Sequence, residues 1–346
     1  MTQIGVLGGG SWGTALAVSL QEKYRNEARL APIGAGSTPE TGTVSVRLWS
    51  RNVEVAEALR SGAGNPVYLP GIKIPAMDAS TDLGHLEGSD AILAVVPEQF
   101  ARETFERLKP FVADGTPILL CAKGIERGSL SLMTDVLRES IPQAVPAVLS
   151  GPSFAADVSR NLPTAVTLAC EDEDLGKRLM AAIGRPSFRP YWTSDLVGAE
   201  IGGAVKNVLA IACGIVEGLG LGKSAHAALI ARGFAEMTRL GVAMGGRAET
   251  LSGLCGLGDL VLTCSSPQSR NMSFGMALGQ GRSAAAILAE RKSVTEGVAT
   301  APAMVEIAAR AGVEMPICAA VNDILSGQAT VENTITALMS RPYKGE

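Results

Sequence analysis

The stretch Gln3-Ile4-Gly5-Val6-Leu7-Gly8-Gly9-Gly10-Ser11-Trp12-Gly13-Thr14-Ala15-Leu16 decides how the first half of this chain folds. The apolar run Ile4 to Leu7 has strand composition and enters Gly8-x-Gly10-x-x-Gly13 directly. Thr14 to Leu20 then continues with helical composition. A strand, a turn with glycines at this spacing and a helix form the fingerprint of dinucleotide binding. Gly8 permits the tight turn, Gly10 lets a pyrophosphate approach the backbone, and Gly13 lets helix and strand pack closely. The helix N-terminus adds free N–H groups and partial positive charge for the phosphates.

Working outward, strand and helix signals alternate to about residue 192. Val44 to Trp49 alternates with period two, and Ala91 to Val96 is a continuous apolar run stopped by Pro97, as in a strand buried on both faces. Pro117 to Cys121, Ala147 to Leu149, Ala165 to Ala169 and Ser187 to Tyr191 are further strand candidates. The class expected is α/β: a doubly wound, Rossmann-like parallel sheet binding ligands at the carboxyl ends of its strands. Tyr24 to Gly42, rich in Gly, Pro, Ser and Thr, reads as an exposed insertion, disordered or hairpin-like. After Thr193 the strand signals vanish. Segments 195–219, 224–244, 273–280, 283–290, 295–312 and 316–326 have helical spacing. The expected domains are therefore 1–192, binding the dinucleotide, and an all-helical 193–346, carrying the substrate, with the active site in a cleft between them.

Composition narrows the function classes. The chain has 346 residues, 47% hydrophobic and 18% charged, with net charge −4. That describes a globular protein with no basic footprint for nucleic acid. Strand signals beginning near residue 3 leave no room for a signal peptide, and Glu200, Lys206 and Glu217 interrupt the best candidate for a membrane span. Six scattered cysteines and two distant histidines suggest reduced thiols in a cytoplasmic protein and no metal site. The expected partner is a small molecule. Oligomeric state is open, with a homodimer as the candidate.

The helical half carries a conspicuous charge. In Gly198-Ala199-Glu200-Ile201-Gly202-Gly203-Ala204-Val205-Lys206-Asn207-Val208, apolar residues recur at helical spacing while Lys206 lies off their stripe, near Gly202, Gly203 and Ala210. These small residues would leave room for a substrate beside the ammonium. Desolvation lowers a lysine pKa towards neutrality, which suits proton transfer. The alternative is a lysine that snorkels to water along its own stem.

An ordered set of motifs extends over residues 1 to about 330. It runs Gly8-x-Gly10-Ser11-Trp12-Gly13, Trp49-Ser50-Arg51-Asn52, Asn65-Pro66-Val67-Tyr68-Leu69-Pro70-Gly71, Ala94-Val95-Val96-Pro97, Ala122-Lys123-Gly124-Ile125-Glu126 and Ser150-Gly151-Pro152-Ser153-Phe154-Ala155. In the helical half follow Gly203-Ala204-Val205-Lys206-Asn207, Gly256-Leu257-Gly258-Asp259-Leu260, Ser269-Arg270-Asn271 and Glu296-Gly297-Val298. Together they resemble the bacterial-type NAD(P)-dependent glycerol-3-phosphate dehydrogenases. Ser224 and Ala231 depart from the Asn and Thr usual there.

The resemblance implies reversible hydride transfer between NAD(P)H and dihydroxyacetone phosphate, giving sn-glycerol 3-phosphate for phospholipid synthesis. Lys206 is then the proton donor, Lys123 a second positive charge at the carbonyl, and Asp259, read as part of a Gly-rich turn, the residue that orients Lys206 or holds a hydroxyl. Ser269, Arg270 and Asn271 would bind the phosphate end, with Gly151 and Ser153 on the substrate side. Ser11, Trp12, Arg51, Lys123, Ala155, Arg270, Val294 and Glu296 would contact the cofactor beside the three fingerprint glycines. Each has a plainer alternative: surface lysine, turn-former or solvent-facing loop. Rival functions are another two-domain dehydrogenase, acting on a hydroxy acid or sugar-acid phosphate, and a nucleotide sensor without catalysis. The second strand ends Leu48-Trp49-Ser50-Arg51-Asn52 with no carboxylate to repel a 2′-phosphate, so NADPH should be favoured over NADH or comparable to it.

Overall fold

The computed structural model describes residues 1, 3–30, 44–291 and 295–342. Its strands are β1 (Gln3–Leu7), β2 (Ser45–Trp49), β3 (Asp78–Ser80), β4 (Ala91–Ala94), β5 (Pro117–Leu120), β6 (Val145–Ser150), β7 (Thr164–Ala169) and β8 (Phe188–Thr193). They form one sheet in the order β3-β2-β1-β4-β5-β6-β7-β8, and β1 runs parallel to both β2 and β4. The order reverses beside β1, so the glycine turn after β1 sits at the switch point where such sheets bind ligands. Asp78–Ser80 carries no strand signal; it is three polar or small residues placed by pairing with β2.

Helices α1 (Ser11–Leu30), α2 (Val53–Ser61), α3 (Ala101–Leu108), α4 (Met133–Ser140), α5 (Ala155–Ser159) and α6 (Glu173–Ile183) alternate with these strands. The expected insertion at Tyr24 is corrected in its first part. Helix α1 continues through Tyr24 to Leu30, and the Tyr24 hydroxyl donates to the Ala182 carbonyl at 2.7 Å. Residues 31–43, the rest of that segment, lie outside the described residues. The glycine turn is built by close approach. Gly8 has φ +132°, and a Cβ there would lie 2.5 Å from the Val95 carbonyl oxygen. A Cβ on Gly13 would collide with the Gly8 carbonyl, whereas one on Gly10 would meet nothing within 4 Å.

The second half folds as α7 (Leu196–Gly218), α8 (Lys223–Ala243), α9 (Ala248–Leu251), a π-helical turn Leu254–Gly258, α10 (Asp259–Ser265), α11 (Arg270–Gly279), α12 (Ala284–Glu290), α13 (Glu296–Arg310), α14 (Pro316–Leu325) and α15 (Val331–Met339). Asp259 is thus not in a turn; it opens α10, directly after the π-helical turn. Helix α7 is long and apolar enough to cross a membrane, but its most apolar window is 94% buried inside the protein, as in a core helix. It packs directly on α11 through glycines: a Cβ on Gly214 would strike the Met272 carbonyl, and one on Gly275 the Ile211 carbonyl. The backbones therefore touch, which fixes α11 relative to α7.

Contacts group the chain into two units. One comprises Met1–Ala122, Met133–Leu149 and Ser153–Leu196; the other comprises Lys123–Leu132, Ser150–Pro152 and Val197–Glu346. Two short segments from the strand-bearing half, with Lys123 and Gly151 in them, thus fold with the helices. Ile125, Leu130 and Leu132 anchor the first of these in the helical core.

The glycine geometry separates two roles. Gly13→Ala should lower the unfolding free energy by about 1–3 kcal/mol, the usual cost of overpacking. Gly10→Ala should leave it within about 0.5 kcal/mol while weakening dinucleotide binding, because its side chain would occupy only the open cradle. Urea unfolding and dinucleotide titration of both variants check this; equal destabilisation would contradict it.

Candidate active site

Within the helical unit, one carboxylate joins two ammonium groups. Asp259 is 1% exposed and Lys206 is 7% exposed. Lys206 Nζ donates to Asp259 Oδ1 at 2.7 Å and to Thr263 Oγ1 at 2.9 Å; Lys123 Nζ donates to Asp259 Oδ2 at 2.6 Å and to the Gly151 carbonyl at 3.1 Å. Thr263, one turn beyond Asp259 on α10, also donates to Oδ1 at 3.2 Å. Lys206 does not snorkel to water. The third N–H of Lys206 has no protein acceptor among the described residues, and can serve a ligand oxygen.

The glycines of α7 fill a role different from the expected one. A Cβ on Gly202 would lie 2.7 Å from the Cys255 carbonyl, and one on Gly203 would lie 3.2 Å from Lys123 Cγ. They admit the π-helical turn before Asp259 and the stem of Lys123, so the space belongs to the partners of Lys206. The Lys123 segment is held just as firmly. Leu130 adopts a left-handed φ of 61° while its side chain stays buried, a backbone strain that core packing must offset.

Three charges share this cluster. Burial, the largest influence, together with the Lys123 charge overcomes Asp259 and lowers the Lys206 pKa from 10.5 to about 8. Burial also acts to lower Lys123, but Asp259 and Glu296 outweigh it and the pKa is raised. Burial acts to raise Asp259, and the two ammonium groups reverse this, so its pKa is lowered. Asp259 and Glu296 keep Lys123 charged, while burial and the Lys123 charge leave Lys206 easier to deprotonate. That is the state a general acid–base group requires.

A second network surrounds the first. Asn207 Nδ2 donates to the Lys123 carbonyl and to Glu296 Oε2, both at 3.0 Å. Asn271 Nδ2 donates to Asn207 Oδ1 at 2.9 Å, and Asn271 Oδ1 accepts from the Gly297 N–H at 2.9 Å. Ser269 caps α11 by accepting from the Met272 N–H. The Ser-Arg-Asn segment is therefore a helix start and not a loop. Arg270, its first residue, keeps a side chain 45% exposed, with a long 3.5 Å contact to Glu296 Oε1.

The sheet unit carries the remaining candidates. Ser11, Trp12 and Gly13 begin α1, and the buried Trp12 Nε1 has no hydrogen-bond acceptor among the described residues. Arg51 is exposed after β2, with its guanidinium over the Phe100 ring at 5.5 Å. Asn52 caps α2, leaving Glu54 exposed in the helix's first turn. The open space beside Gly10 and the absence of a carboxylate at Arg51 fit a dinucleotide with or without a 2′-phosphate. Ser153 and Ala155 lie at the start of α5 in this unit, and Val294 falls outside the described residues. Among the described residues no group of three potential ligands could hold a metal ion.

Profiles of the NAD-dependent glycerol-3-phosphate dehydrogenase N-terminus and C-terminus match residues 3–176 and 195–336. The chain belongs to this family. It is 58% identical to the glycerol-3-phosphate dehydrogenase [NAD(P)+] of Maricaulis maris, over 98% of this chain and 97% of that one. Identity to the enzyme of the same name from Caulobacter vibrioides is 55%, over 99% and 98%. The crystal structure of glycerol-3-phosphate dehydrogenase from Coxiella burnetii superposes with a TM-score of 0.88 at 39% identity, covering 98% of this chain and 99% of that one. The family expected from the motifs and the doubly wound sheet with a helical partner are both found. Thr263 and Asn207 had no role in the sequence reading. Their signals were present, since Thr263 is one turn from Asp259 and Asn207 follows Lys206.

The charge arithmetic makes a stability prediction. Asp259→Asn leaves two buried ammonium groups without their hydrogen-bonded carboxylate, with only Glu296 to offset them, and should cost about 3–5 kcal/mol, as for other broken buried pairs. Lys206→Met leaves the Lys123–Asp259 pair neutral and should cost less. Unfolding curves rank the two variants; the reverse order would mean that the carboxylate is not what holds the cluster together.

Proposed function

We infer that this chain is an NAD(P)-dependent sn-glycerol-3-phosphate dehydrogenase, interconverting dihydroxyacetone phosphate and sn-glycerol 3-phosphate. The observation that carries the reading is Lys206, buried against Asp259 with a pKa near 8, in a chain of this family. When bound, the dinucleotide supplies the hydride that goes to C2 of the ketone. The oxygen on C2 then needs a proton, and Lys206 donates it; in the oxidative direction neutral Lys206 takes it back. Lys123 adds positive charge beside the same oxygen, and such fixed charge stabilises a developing alkoxide.

Asp259 aims both lysines, and Thr263 fixes the rotamer of Lys206. Arg270 serves the substrate phosphate through its planar fork, and Gly151, Ser153, Ser269 and Asn271 also serve the substrate. Asn271 already spends one donor and one acceptor on Asn207 and Gly297, so its second N–H is the one it offers. Gly8, Gly10, Ser11, Trp12, Gly13, Arg51, Ala155, Val294 and Glu296 serve the cofactor, together with Lys123 and Arg270. The reading extends to a cytoplasmic enzyme supplying glycerol 3-phosphate for phospholipid synthesis. Six buried cysteines, none of them in a disulfide among the described residues, fit a reducing compartment.

Lys206→Ala should reduce kcat by about 100- to 10,000-fold with dinucleotide affinity nearly unchanged, the range of general acid–base catalysis. In wild type the reductive rate needs protonated Lys206 and should fall as pH rises through about 8, while the oxidative rate should rise through the same pH. Steady-state profiles in both directions decide this; a mutant keeping a tenth of kcat, or profiles flat across that pH, would remove Lys206 from the chemistry.

Arg51→Ala should lower kcat/KM for NADPH by about tenfold or more and leave NADH largely unaffected, because a charge-assisted contact to the 2′-phosphate is lost. A wild type favouring NADH tenfold, or equal losses for both cofactors, would refute the reading of the β2 terminus.

A further inference from the structure

Arg291 follows α12 and belongs to none of the motifs that identify the family. Its side chain is spent on the start of α11. One terminal nitrogen donates to the Arg270 carbonyl at 2.7 Å, the other donates to Ser273 Oγ at 3.1 Å, and the guanidinium lies over the Phe274 ring at 5.5 Å. Ser273 Oγ donates to that same Arg270 carbonyl at 3.1 Å. The backbone oxygen of Arg270 is therefore fixed by two side chains besides its helix. The residues on either side are held too, Ser269 through the Met272 N–H and Asn271 through Asn207. All of this grips the backbone while the Arg270 side chain projects, 45% exposed.

The electrostatics point the same way. Arg282 is paired with Glu290 at 2.6 Å, but no carboxylate pairs with Arg291 among the described residues. Partial burial, then the charges of Arg270 and Arg282, lowers the Arg291 pKa. The Arg291 charge therefore adds to that of Arg270 beside it.

We propose that Arg291 is a positioning residue for the phosphate end of the substrate: it fixes the Arg270 backbone through a forked contact and adds uncompensated positive charge behind it. This rests on the reading of Arg270 as the phosphate anchor. The test uses the full-length protein, measuring KM and kcat for dihydroxyacetone phosphate, KM for NADPH, and competitive inhibition by inorganic phosphate. Arg291→Ala should raise KM for dihydroxyacetone phosphate and Ki for inorganic phosphate together by about three- to tenfold, the size of one ordinary hydrogen bond, because Arg291 acts on the phosphate only through Arg270. Its kcat should stay within about twofold, since nothing in the catalytic cluster touches it, and its NADPH KM should move less than that for dihydroxyacetone phosphate, because Arg270 is only one of many residues serving the cofactor. Arg291→Lys keeps the charge without the fork and should recover only part of the loss.

Unchanged KM and Ki in Arg291→Ala would overturn the proposal, as would a uniform loss of kcat and both KM values with a lowered Tm. Full recovery by Arg291→Lys would overturn the forked contact. Arg270→Ala separates the levels. If it too leaves KM and Ki unchanged, the phosphate assignment of Arg270 fails; if it raises both and Arg291→Ala does not, only the positioning role fails.

Discussion

A carboxylate held between two buried ammonium groups governs this molecule. Asp259 can neutralise one lysine, and the helical core supplies it with two. The excess positive charge cannot spread into water, because Lys206 and Asp259 are almost fully enclosed. Burial disfavours the charged form of Lys206 most, the Lys123 charge adds to it, and its proton becomes easy to remove. A group that would ordinarily stay charged until pH 10.5 thereby works near pH 8. The cluster is costly to stability, since buried ion pairs recover their desolvation only with good geometry and further hydrogen bonds. Thr263 and the Gly151 carbonyl provide those bonds here.

The fold meets this constraint through close backbone approach. Gly202 and Gly203 bring the π-helical turn and the Lys123 stem against α7, and Gly214 and Gly275 bring α11 against it. Asn207 then links the Lys123 carbonyl, Glu296 and Asn271, so three separate stretches of chain meet at one amide. Such a junction has two advantages for chemistry. The ammonium groups cannot drift, and Ser269, Arg270 and Asn271 are held on the same helix framework.

Much of this was legible in the sequence for identifiable reasons. The glycine fingerprint needs a strand before it and a helix after it, and Ile4 to Leu7 and Thr14 to Leu20 have those compositions. Lys206 stood out because charge is rare on a core helix. What stayed hidden depended on tertiary contact. Asp78–Ser80 becomes a strand by pairing with β2, and the π-helical turn ahead of Asp259 follows from Gly256, where a Cβ would strike the Leu251 carbonyl. Glycines at 202 and 203 were read as room for substrate because periodicity shows which side of a helix is small and not what fills the space. The polar run after Tyr24 looked like loop, yet α1 extends to Leu30. Likewise, the helical spacing placed the start of this segment at 273, whereas α11 begins at Arg270 with Ser269 as its cap.

The dependence on a shared carboxylate also distinguishes an enzyme from a nucleotide sensor, which has no proton to move and no reason to bury a surplus ammonium. The most direct measurement is therefore the titration of Lys206 itself. NMR of the protein with 13C-labelled lysine ε-methylenes, assigned by comparison with Lys206→Met, reports its protonation without turnover. A midpoint near about 8, well below the ordinary 10.5, is the result this account requires. A midpoint at or above 10.5 would mean that Asp259 fully compensates both lysines, and the proposed origin of the proton transfer would be wrong.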